Sequence, residues 1–136
     1  MDDFRQVTGL DQLTGEDTIT LARTAAEAIR GLNRATGCDA GLGQPAVAYD
    51  VLGALALAAS RLPQLLTQIT RWLDQALAGG RLGHDLSEDP VHAVTAAGVF
   101  LDDCRGYATA LAAGLDTAQQ FLAAVNGEPS RKDQPS

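Results

Sequence analysis

Between residues 90 and 126 apolar side chains recur every seven positions in three parallel columns. Val94, Leu101, Ala108, Leu115 and Leu122 form the first, and Ala97, Cys104, Leu111, Ala118 and Val125 the second. Ala93, Phe100, Tyr107, Gly114 and Phe121 form a third beside them. Such a period brings the same helical face round at every second turn, so the segment is one long helix built to lie against another. A partner with the same period stands just upstream. Leu52, Ala59, Leu66 and Leu73 make its first column, Leu55, Leu62, Ile69 and Ala76 its second, and Val51, Ala58, Leu65 and Trp72 its third.

Two such helices joined by a turn make an antiparallel hairpin, with arms of about 50 Å at 1.5 Å per residue. The upstream arm opens at Pro45, where proline suits the first helical position, and stops at Ala78-Gly79-Gly80. Its register runs straight through Pro63, although an interior proline removes a hydrogen bond and crowds the carbonyl one turn back. Either a kinked continuous helix or two helices meeting near Leu62 would keep the apolar face. Ahead of the hairpin, Thr14 and Asp17 read as an N-cap pair, with Glu16 also favouring the positive end of the helix dipole. Ala22, Ala25, Ile29 and Leu32, flanked by Ile19 and Ala26, then form one stripe up to a stop at Gly37. A helix over about 15–35 follows, roughly 30 Å long.

No run of alternating β-branched residues competes with this all-α reading. The expected organisation is an N-terminal arm over 1–13, in which Val7, Leu10 and Leu13 can rest on the body, a single helical bundle domain over 14–126, and a disordered tail over 127–136. A short loop should set the first helix antiparallel to the second, covering residues near 45–62 and 107–125. The other half of the hairpin, Leu66, Ile69, Trp72 and Leu73 opposite Val94, Ala97, Phe100 and Leu101, is then under-covered. The simplest cover is the same half of a second copy, completing a four-helix bundle about a two-fold axis. The arm folding back, a bent hairpin, or a foreign helical partner are the alternatives.

The chemistry-bearing residues concentrate in "GRLGHDLSEDPVH", which holds both histidines. His84, Glu88 and His92 are candidate metal ligands, with Asp85 and Asp89 beside them. Their spacing fits no zinc or carboxylate-bridged motif on a single helical turn. A helix corner explains more of them: Asp89 as N-cap, Pro90 at the first position, and Glu88 at the positive end of the dipole. Cys104 falls in a heptad column, where a free cysteine acts as a small apolar residue. Cys38 and the glycines of "CDAGLGQP" read as a loop, lacking the Lys-Ser/Thr pair of a phosphate loop. Asp102 and Asp103 point about 100° apart and read as a solvated face.

The net charge is −7, with nine arginines and one lysine, Lys132, and no basic stripe. Nucleic acid and anionic membrane are therefore poor partners. The first residues carry no signal-peptide pattern, and no uninterrupted apolar run reaches 18 residues, so a cytoplasmic protein without a membrane span is expected. No cofactor is called for and no catalytic residue is assigned. The expected function is non-enzymatic protein–protein interaction, with homodimerisation first. A small-molecule or metal binder, enzymatic or not, using the bundle interior or the His84/His92 corner is the alternative.

The stretches "EAIRGLNRATG", "AVAYDVLGALALAASRLPQLLTQITRWLDQALAGGRLGHD" and "DTAQQFLAAV" resemble a set of small helical proteins from high-GC actinobacteria. The likeness covers most of residues 24–125 and is most specific around Asn33, Tyr49-Asp50-Val51-Leu52 and Leu62-Pro63-Gln64. It implies that Tyr49, Asp50, Pro63 and Trp72 belong to a shared design. It implies no activity.

Overall fold

The computed structural model describes residues 13–127, so the N-terminal arm apart from Leu13, and all of the tail but Gly127, lie outside the described residues. These residues are helical, without strands. The chain divides between Gly43 and Gln44 into two compact units, each described by itself.

The first unit contains α1 (Gly15–Thr36) and the four-residue α2 (Asp39–Leu42). Thr14 caps α1 in both directions. Its hydroxyl accepts from the Asp17 amide at 3.3 Å, and the Asp17 carboxylate accepts from the Thr14 amide at 3.0 Å. Glu27 and Arg30 form an exposed ion pair one turn apart at 3.7 Å, a surface contact of little energetic consequence. The segment expected as a loop contains the α2 turn. Gly41 lies against the Ala35 backbone so closely that a Cβ would collide with the Ala35 carbonyl, and Gly43 takes a φ of 68°, which favours glycine. Those two glycines serve the turn. α1 itself contains no buried residue.

The second unit is the hairpin of α3 (Pro45–Ala78) and α4 (Pro90–Leu122). α3 runs unbroken through Pro63, which settles the sequence alternative in favour of one continuous helix. It ends in a Schellman motif. The Arg81 amide donates to the Ala76 carbonyl at 2.9 Å and the Gly80 amide to Leu77 at 3.1 Å, while Gly80 adopts a φ of 67°. α4 opens on Asp89, whose Oδ1 accepts from the Val91 amide at 3.0 Å, with Pro90 at the first helical position.

The first heptad column of each long helix faces the other helix, as expected: Leu52, Ala59, Leu66 and Leu73 on α3, Val94, Leu101, Ala108, Leu115 and Leu122 on α4. The expected second column is met only in part: Ala76 is fully buried and Leu55 and Ala97 half-buried, whereas Leu62, Ile69, Cys104, Leu111, Ala118 and Val125 are exposed. A further column also turns inward, Tyr49, Ala56, Pro63, Thr70 and Leu77 on α3 and Gly98, Arg105, Ala112 and Gln119 on α4. The only buried residues among those described are Ala56, Ala59, Ala76 and Ala108. Small residues line the seam because they let two helix backbones approach closely, whereas a rank of leucines would hold them apart. Gly53 shows the same closeness, since a Cβ there would run into the Gln119 side chain.

Candidate interaction surface

Two interhelical hydrogen bonds fix the register of the hairpin. Arg105 Nη1 donates to Thr67 Oγ1 at 2.9 Å, and Gln119 Nε2 donates to the Tyr49 carbonyl at 3.1 Å. Gly53 also lies against Gln119. Gly53 thus stands level with Gln119 and Thr67 with Arg105, and equal steps up α3 and down α4 remain level. By that register Leu62 stands level with Ala110 and Leu111.

One flank of the seam is grooved and mixed in character, with exposed Leu57 and alanines beside its polar groups. Thr67, Thr70, Arg71 and Asp74 of α3 face Gly98, Asp102 and Arg105 of α4 across one shallow groove. Further from the tip, Gly53, Ser60, Asp116 and Gln119 line another on the same flank. Arg105 holds Asp102 in an ion pair while bonding Thr67, so this arginine fastens the two helices along the groove. Asp102, read from sequence as solvated, is exposed and yet anchors it.

The other flank is apolar along its whole length. Since the grooves take up one side of the seam, the columns rotated the opposite way on both helices share the remaining side. Leu62, Leu65, Ile69 and Trp72 crop out there on α3, and Phe100, Tyr107, Leu111 and Phe121 on α4. Trp72 is 54% exposed, Phe100 70%, Tyr107 72% and Phe121 82%. The Arg81 guanidinium sits over the Trp72 ring, 5.6 Å from its centroid, at the tip end of this face.

The eight interface candidates read from sequence therefore separate. Ile69, Trp72 and Phe100 stand exposed on the apolar face. Leu66, Leu73, Val94 and Leu101 lie half-buried in the seam, and Ala97 is half-buried beside it. The exposed face is also longer than the tip half, because Tyr107, Leu111 and Phe121 extend it to the far end. Sequence reasoning missed the groove residues Thr67 and Arg105. Thr67 falls in a column of glycine and polar residues, Gly53, Ser60 and Asp74, and Arg105 in one with Gly98, Ala112 and Gln119, so apolar periodicity gave them no signal.

At the tip, His84 Nδ1 accepts from the Leu86 amide at 3.1 Å, and the Ser87 amide donates to the His84 carbonyl at 2.9 Å. His84 thus holds the turn together. Glu88 and His92 are exposed, and Asp89 caps α4. Among the described residues no three His, Cys, Asp or Glu side chains gather as a metal-holding group. Cys38 and Cys104 are free thiols, both exposed.

α3 is, by length and composition, long and apolar enough to cross a membrane. That amends the sequence reading, which counted only uninterrupted apolar runs. The criterion is also met by helices of soluble proteins, and α3 carries Arg61 and Pro63 at its middle. No protein family matches the chain. No curated protein and no solved structure matches it either, so no residue's role comes to it from a relative.

Proposed function

We propose that this protein is a non-enzymatic helical interaction module that associates with itself through the apolar face of its hairpin. The observation that carries this reading is the inversion of the hairpin. The buried residues of its seam are alanines, with leucines only half-buried beside them, while Trp72, Phe100, Tyr107 and Phe121 stand in solvent. Continuous apolar patches of this kind on a water-soluble surface mark association sites. The grooves on the opposite flank are open and shallow; Ser60 and Asp116 line one of them, but the Ser60 hydroxyl donates to the Leu57 carbonyl of its own helix. The cytoplasm is the proposed location.

Light scattering at micromolar concentration tests the proposal. A dimer mass is expected for the full chain, and a clean monomer sinks the reading. Changing Trp72 and Phe100 together to glutamate should yield a monomer that keeps its helical circular dichroism, because both side chains point away from the seam.

A further inference from the structure

Resting on self-association as proposed above, we infer the identity and orientation of the occupant of the apolar face: a second copy of the hairpin, laid face to face with its tip at the opposite end. The occupant is argued from area and charge. At the observed exposures, and with ~150–250 Å² per aromatic side chain, the face offers on the order of 900 Å². A stable interface takes ~800 Å² per partner. The second and third apolar columns of both helices contain no charged residue, although the chain carries −7 overall. Within these columns two copies meet without like charges; Arg61, one residue from the centre of the face, stands outside the columns at its edge, and Arg81 lies at the tip end over Trp72.

Orientation follows from the order of large and small side chains. Two hairpins stacked face to face can be related by a two-fold axis across the helices, giving opposite tips, or along them, giving tips together. Take the first axis at the middle of the face, between Arg61 and Leu62 on α3 and, by the register, between Ala110 and Leu111 on α4. Each α4 then lies over its own copy, and Tyr107 meets the partner's Gly114 while Phe100 meets the partner's Phe121. On α3, Trp72 meets the partner's Val51, and Leu65 the partner's Ala58. Three of these four pairs set a larger side chain against a smaller one, and the fourth is an aromatic pair. Leu62 and Leu111 fall next to the axis, each near its own copy.

With tips together, α3 would instead lie over the partner's α4. Trp72 would then meet Phe100 and Leu65 would meet Tyr107, while Ala58 faced Gly114 across a void. Interiors fill space at nearly uniform density, and both voids and crowding cost stability. The opposite-tip arrangement leaves no such void and sets large against large at one pair, Phe100 with Phe121, where tips together would do so at two and match large with small only at Phe121 and Val51.

Gly114 gives the sharpest test because a Cβ there meets nothing within 4 Å inside its own chain. Gly114→Phe enlarges the apolar face, so generic stickiness would tighten association. Receipt of Tyr107 by this site instead requires at least a tenfold rise in the dimer dissociation constant, with the monomer's helicity kept. Oxidative crosslinking reads the orientation directly. In a Cys38→Ser, Cys104→Ser background, Leu111→Cys should give a disulfide-linked dimer. A mixture of Trp72→Cys and Phe100→Cys chains should form no mixed disulfide. A Trp72–Phe100 crosslink, or a dimer that crosslinks at neither place, overturns the arrangement while leaving self-association standing. A monomeric parent protein overturns self-association itself.

Discussion

The two flanks of the hairpin are made from the same two helices and yet behave as different surfaces. On the grooved flank, Arg105, Thr67, Asp102 and Gln119 spend their hydrogen bonds within the chain, and the contacts are directional. On the opposite flank, the large side chains make no such bonds and remain exposed. Between them runs a seam of half-buried leucines whose buried points are alanines. The lesson is that a two-helix unit cannot bury three apolar columns at once. Close backbone approach at small residues wins the seam, and bulk is left for something outside. Where leucine stands in a column, the hydrophobic gain of turning it inward competes with the loss of close packing along every neighbouring turn.

Four substitutions sharpen this contrast, the first two as a pair, beginning with the largest effect. Ala59→Leu places extra volume where the helices touch and should destabilise the hairpin by about 3 kcal/mol. Leu65→Ala on the apolar face should leave the monomer's stability within about 1 kcal/mol. Urea denaturation under monomeric conditions compares the two, and equal losses would break the distinction between seam and face. Next, Pro63→Ala restores the amide that α3 lacks inside its seam. It should stabilise by about 1–2 kcal/mol, part of the ~3 kcal/mol that interior proline costs a helix, and raise the thermal midpoint. Smallest is Gln119→Leu, which removes the bond to the Tyr49 carbonyl. A loss of about 1 kcal/mol is expected, visible as faster hydrogen exchange at the open end of the hairpin while exchange near Ala76 stays unchanged.

Much of the fold could be read from the sequence because local chemistry wrote it. Thr14 with Asp17, Pro45, Gly79-Gly80 and Asp89-Pro90 are end signals that depend on a few neighbouring residues. The structure agrees with them to within a residue or two. The first heptad column of each long helix was legible for the same reason. What periodicity could not decide was how far each neighbouring column turns inward, since Leu62 and Ile69, which are exposed, look at least as suited to a core as Tyr49, Ala56, Pro63 and Thr70. Hydropathy ranks the former higher, but the choice depends on side-chain size in three dimensions. The small residues Gly53, Ala56, Ala59, Ala108 and Ala112 carried that information. The histidine corner was legible as a corner, and His84's bond to the Leu86 amide adds a task that spacing alone did not suggest.

The continuity of α3 has a consequence during synthesis. At ~5–20 residues per second, the complete α3 waits a few seconds for α4 to follow. Through that interval it is a lone apolar helix with the length and composition of a membrane span. Arg61, at its midpoint, is a poor guest for lipid, since arginine at the centre of a bilayer helix costs ~2.5–3.5 kcal/mol during insertion. Pro63, two residues on, is a second interruption of the same stretch.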